Sequence, residues 1–142
     1  MDCYLCHLLK RSSDEATFIR KMEQGSLFLN TNQSFKGRVI FTLNRHEEDI
    51  ALLDDKIYAA FNSELKEVLR ALKIVFKPTL LNVGMFGNKV RHLHWHIIPR
   101  YEGDSNWGDV PWPNKPIYLS AEEYRVLALS IRDTLKEGVN AR

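Results

Sequence analysis

The sequence predicts an α+β fold, with an antiparallel sheet of about five strands, one long helix and a C-terminal helix, in a single domain over residues 1–142. Three observations predict it. Short β-rich segments occur in pairs separated by turn residues, and apolar residues recur in steps of three and four along one long central stretch. The resulting order is β-β-α-β-β-loop-α, which suits an antiparallel sheet with helices laid on it. A chain of 142 residues buries an apolar core without disulfide staples.

A short helix is expected near Asp14 to Met22. The segments SLFLNTN (26–32) and GRVIFTL (37–43) are rich in strand formers, and the connection from Gln33 to Lys36 makes them a hairpin. From Glu48 to Phe76, residues Ile50, Leu53, Ile57, Phe61, Leu65, Val68, Leu72 and Val75 fall on one face of a helix that covers the sheet. Pro78 ends it. TLLNVGMF (79–86) and VRHLHWHII (90–98) read as a second strand pair around a Gly87-Asn88 turn. After a loop rich in Gly, Asp, Trp and Pro (102–116), Ser120 and Glu123 frame a capping box. The helix it opens carries Tyr124, Leu127, Ile131 and Leu135 on one face.

Hydrophobic residues at 44% and charged residues at 27% are ordinary soluble values. No segment approaches the roughly 18 consecutive apolar residues of a membrane helix. The N-terminus MDCYLCHLLK shows no secretory signal, so a cytoplasmic protein without a membrane partner is expected. A formal charge of +2 is too mild for a nucleic-acid groove, and no nucleic-acid partner is expected. The two cysteines, Cys3 and Cys6, form a Cys-x-x-Cys that reads as metal-binding or redox before it reads as a disulfide.

The chemistry concentrates between residues 92 and 96. In an extended strand His92, His94 and His96 project together, while Leu93, Trp95 and Ile97 point to the opposite, core side. At a rise of about 3.3 Å per residue the Cα atoms of His92 and His96 lie roughly 13 Å apart. Both rings then hardly reach one zinc at bond lengths of about 2.0 Å, so at most two neighbours share a metal. At least one histidine remains for another task, and an ordinary pKa of about 6.5 keeps much of it neutral and nucleophilic near neutrality.

HLHWHII (92–98) matches the signature His-φ-His-φ-His-φ-φ, where φ is apolar, and from Cys3 to Tyr101 the chain resembles the histidine triad hydrolases and transferases. The resemblance implies a nucleotide hydrolase that cleaves at the α-phosphate of a dinucleoside polyphosphate or nucleoside phosphoramidate. It makes His94 the nucleophile that carries the nucleotide covalently, with its other ring nitrogen held by a main-chain carbonyl. His96 donates to the phosphate. A fixed tautomer is what a histidine nucleophile needs.

The same resemblance places Asn30 on the ribose hydroxyls, and Asn82, Gly87, Asn88 and Lys89 around the phosphates. Asn88 and Lys89 depart from the Gly-Gln-Ser or Gly-Gln-Thr run common in relatives. It further implies a structural zinc on Cys3, Cys6, His46 and His92, with His7, beside Cys6, as the competitor of His46. No organic cofactor is implied. A homodimer paired through the long helix and a central strand is. Nucleotidyl transfer and a nucleotide- or zinc-binding regulatory module with little turnover are the alternatives. Trp107 and Trp112 read as a base-stacking platform or as a rigid aromatic turn packed on the domain or its partner, and stay outside the site.

Overall fold

The apolar faces of both long helices need a sheet to cover, and five strands supply it. The computed structural model describes residues 2–112 and 114–140, the side chains of 136–140 excepted, so Pro113 of the aromatic loop lies outside the described residues. The strands are β1 (Phe18–Lys21), β2 (Gly25–Leu29), β3 (Val39–Leu43), β4 (Leu80–Gly84) and β5 (His94–Arg100). They form one antiparallel sheet in the order β1-β2-β3-β5-β4. The helices are α1 (Tyr4–Lys10), α2 (Asp55–Phe76) and α3 (Ala121–Asn140).

Strand alternation divides the core. Leu27, Leu29, Val39, Phe41, Leu43 and Ile97 face α2 and α3, where Phe41 stacks on Phe61 at 5.0 Å. On the other face α1 covers Phe28 and Ile40 with Leu5 and Leu8. The histidine face of β5 is left for the site.

Three sequence expectations change, and one element is new. The helix expected from Asp14 to Met22 is a short 3-10 turn (Ser12–Asp14) followed by β1, which pairs with β2. The aromatic and β-branched run Thr17-Phe18-Ile19 favours a strand, and the open edge of β2 decides the matter. The first helix, α1, was not anticipated. It is short, and its N-cap is the Cys3 sulfur, which accepts from the Cys6 N–H at 3.4 Å.

The long helix starts at Asp55 rather than at Glu48, because Asp54 caps it by accepting from the N–H groups of Lys56 and Ile57. Ile50 sits instead in a 3-10 turn (Ile50–Leu52), and Leu53 follows it into the core. The helix ends at Lys77, left-handed at φ 48°, ahead of Pro78.

The Gly87-Asn88 turn does not join adjacent strand ends, because β4 stops at Gly84 and β5 starts at His94. The intervening chain pairs elsewhere: Leu93 N–H donates to the Glu47 carbonyl, and Leu43 N–H donates to that of Leu93. His92 therefore precedes the strand. The capping box at α3 forms as read, with Ser120 N–H donating to Glu123 and Glu123 N–H to the Ser120 hydroxyl.

Candidate active site and metal centre

Register places the catalytic candidates. Thr42 pairs with His94 and Ile40 with His96, so the two histidines stand side by side on the open face with ring centres 4.8 Å apart. His94 Nδ1 lies 2.6 Å from the carbonyl oxygen of His92. Only a donor suits that contact, so the proton resides on Nδ1 and the Nε2 lone pair is free to react. His96 differs. Its Nδ1 is buried with no hydrogen-bond partner among the described residues, and its pKa is pushed down to about 4. Burial is the chief cause, followed by repulsion from His94 and Arg38. A neutral imidazole still donates one hydrogen bond.

His92 belongs to a different cluster. Its Nε2–H donates to the Leu43 carbonyl at 2.8 Å, which leaves Nδ1 bare and aimed at sulfur, 3.4 Å from Cys3 Sγ and 3.5 Å from Cys6 Sγ. His46 Nδ1 lies 3.4 Å from Cys6 Sγ. The four ligand atoms of Cys3, Cys6, His46 and His92 all lie within 4.8 Å of one another. Tetrahedral zinc, with bonds of about 2.3 Å to sulfur and 2.0 Å to nitrogen, sets sulfur and nitrogen about 3.5 Å apart. The residues present therefore fit zinc in chemistry and spacing. His7 is elsewhere, bonded to Asp2 at 2.9 Å on the surface.

The remaining predicted residues are distributed unevenly. Gly87, at φ 78°, lines with Gly84, Phe86 and His94 a cavity of about 540 Å³ beside the His94 ring. Asn30, after β2, has its amide oxygen engaged by the Asn32 N–H at 2.9 Å. Asn82 accepts from Arg100 Nη1 at 2.8 Å. Asn88 is exposed, and Lys89 lines a cleft beside Cys3 and His46 rather than the cavity at His94.

Sequence reasoning missed the residues that organise the far side of the site. Arg100 is 1% exposed and gathers the loop after β5. It bonds Asn82, Asp104 and the carbonyls of Ser105, Asn106 and Asp109, between the rings of Phe35 and Trp107. The loop returns Trp112 to the triad, 6.1 Å from the His96 ring and edge-on to Phe86 at 5.3 Å. Arg38 lies over Trp112 at 5.6 Å. Of the two tryptophans, Trp107 packs on its own domain and Trp112 faces the site. The one available signal was alternation, since Arg38 shares a strand face with Ile40 and Thr42.

A five-stranded antiparallel sheet that displays His94 and His96 beside a Cys/His cluster defines a histidine triad protein in form. The sequence matches the HIT domain family over residues 11–103, and the chain belongs to that family. It is 27% identical to "Protein hit" of Bacillus subtilis, with 94% of each chain covered. It is 26% identical to the AP-4-A phosphorylase of Mycobacterium tuberculosis over 82% of this chain and 64% of that one. Among solved structures, a histidine triad protein of Sinorhizobium meliloti superposes with a TM-score of 0.78 at 27% identity, over 88% of this chain and 93% of the other. No described helix is long and apolar enough to cross a membrane.

Proposed function

We propose that this protein is a nucleotide hydrolase that forms a covalent nucleotidyl-histidine on His94. The observation that carries the reading is the bond from His94 Nδ1–H to the His92 carbonyl, which presents a bare Nε2 to the adjoining cavity. In this scheme Nε2 attacks the α-phosphorus of a dinucleoside polyphosphate or nucleoside phosphoramidate. The bond from phosphorus to the bridging atom breaks, its electron pair leaves with that atom, and His96 donates a hydrogen bond to the developing charge. The His92 carbonyl steadies the cationic ring of the adduct. Water then attacks phosphorus and releases a nucleoside monophosphate. Gly87 and its neighbours lend main-chain amides to the phosphate, and Asn30 and Asn82 serve the nucleotide once their present contacts exchange for it.

Cys3, Cys6, His46 and His92 hold zinc in this reading, and zinc supplies rigidity beside the triad rather than chemistry. The chain pairs with a second copy through α2 and the open edge of β4, where Leu80 and Val83 are exposed. Light scattering giving the mass of two chains supports that pairing.

Similarity to an AP-4-A phosphorylase favours one further reading, with inorganic phosphate as the second acceptor. One experiment separates the two. Diadenosine polyphosphates and adenosine phosphoramidates are incubated with and without inorganic phosphate, and products are identified. With diadenosine tetraphosphate and the phosphoramidates, whose leaving groups are not ADP, hydrolysis yields AMP in both cases and transfer to phosphate yields ADP in place of AMP, only with phosphate. Failure to cleave any of them contradicts the proposal.

A further inference from the structure

Arg38 is a cation without an anion. Among the described residues its Nε is buried and meets no acceptor, and no carboxylate lies within ion-pair distance of its guanidinium. Arg20, on the outer strand β1, also leaves a buried Nη1 without an acceptor among the described residues, but it stands away from the triad; Arg100 bonds a carboxylate, an amide and three carbonyls, and Arg132 donates to the carbonyls of Phe18 and Ile19. Burying part of a guanidinium without partners costs free energy, so a ligand that brings the missing acceptors recovers it. The Trp112 ring, 5.6 Å away, orients the cation but offers no acceptor for its N–H groups.

Its place in the sheet indicates which ligand. Thr42 pairs with His94 and Ile40 with His96. The next residue of β3's chain on that face is Arg38, one step past His96 on the side away from His94. In phosphoryl transfer the attacking and departing atoms lie roughly in line across phosphorus. With phosphorus seated between His94 Nε2 and His96, a leaving group expelled in line would pass over His96 toward Arg38. The planar guanidinium matches two phosphate oxygens at once.

We propose that Arg38 binds the phosphates of the leaving group, so that the site selects nucleotides extended by a phosphoanhydride chain over nucleoside monophosphates and amine-linked phosphoramidates. This rests on the nucleotide-processing reading of the His94 site. Arg38 acts there as a specificity residue that neutralises the oxygen left when the phosphoanhydride bond breaks.

The test is calorimetric binding of AMP and of adenosine 5′-(α,β-methylene)triphosphate, whose bridging carbon resists cleavage. The wild type, Arg38→Gln and Arg38→Lys are compared, with folding checked by circular dichroism. Wild type is expected to favour the triphosphate analogue over AMP by about 10- to 100-fold, the scale of hydrogen bonds to a charged group. Arg38→Gln shrinks that preference to about threefold or less. Arg38→Lys, which folds with its charge kept, restores part of it. Equal weakening of both ligands in Arg38→Gln, or no change in either, overturns the proposal and leaves nucleotide binding intact. Wild type that binds neither ligand overturns the nucleotide reading itself and this inference with it.

Discussion

The two outer histidines of the triad lie on one short stretch of chain and live in opposite surroundings. His92 is 1% exposed, and both ring nitrogens are committed, one to the Leu43 carbonyl and one to the sulfurs of Cys3 and Cys6. His96 is also largely enclosed, but its Nδ1 has no partner among the described residues and its neighbours are the rings of His94, Phe86 and Trp112. Buried polar groups in folded proteins are nearly always bonded, so an unmet group beside an unmet Arg38 marks the end of the triad built to receive something. At the His92 end a metal would engage His92 Nδ1, His46 Nδ1 and both sulfurs, while His46 Nε2, without a hydrogen bond among the described residues, faces the Glu48 carboxylate at 3.7 Å. In the proposed reading, identical side chains serve structure at one end and chemistry at the other, and His94 joins them through the carbonyl of His92.

The largest expected effect falls at the closed end. Cys3→Ser should remove the zinc, about one per chain in the wild type, and lower Tm by about 10 °C or more while folded molecules keep their chemistry. Elemental analysis with thermal melts checks this, and metal-free protein of unchanged stability would break the comparison. Arg100→Met comes next. It removes the Arg100 donors from Asn82, Asp104 and three carbonyls, leaving Asp104 only the Tyr101 N–H and the Asn106 carbonyl only the Asp109 N–H. The loss should cost about 3 kcal/mol in denaturant unfolding, with a red shift of tryptophan fluorescence as Trp112 leaves His96.

His96→Ala should slow turnover about 100-fold without loss of metal, in contrast to His92→Ala, which should lose metal first. The smallest effect is a pH dependence. The folded His96 pKa of about 4 lies below the ordinary 6.5, so between those values the unfolded chain binds a proton that the folded chain refuses. Stability therefore rises with pH through that window and is lost as pH falls from 6.5 toward 4. After allowance for partial exposure the change is about 1 kcal/mol, seen as a flatter pH profile of the unfolding midpoint in His96→Gln.

The chemistry was legible where it depends on local period and residue type. Alternation put His94 and His96 on one face, and the Cys-x-x-Cys read as metal-binding or redox, with His46 and His92 joined to it only through the family resemblance. Ser120 and Glu123 announced their helix. What stayed hidden depends on long-range choices. The return of Trp112 to His96 is decided by Arg100, which captures carbonyls of a loop without regular structure. Whether Arg38 is paired depends on which carboxylates reach it, and no spacing reports that. Asn82 was readable as a polar residue on a strand, but not that Arg100 engages its amide. The strand β1 was read as helix because its four residues carry too little pattern to outweigh neighbouring polar positions.

Covalent attachment to His94 is the central claim, and trapping tests it directly. Wild-type protein turning over a dinucleoside polyphosphate labelled in the adenosine moiety is quenched rapidly in alkali, which preserves phosphoramidates, and digested. The account predicts an adenosine monophosphate adduct on the peptide spanning residues 92–100, located to His94 by fragmentation. In His94→Ala the adduct is absent, and turnover falls by about a thousandfold or more in a protein that still binds nucleotide. Label found nowhere on the protein, together with His94→Ala turnover above about a hundredth of wild type, would contradict it and leave direct attack by water, with the histidines as base and phosphate clamp.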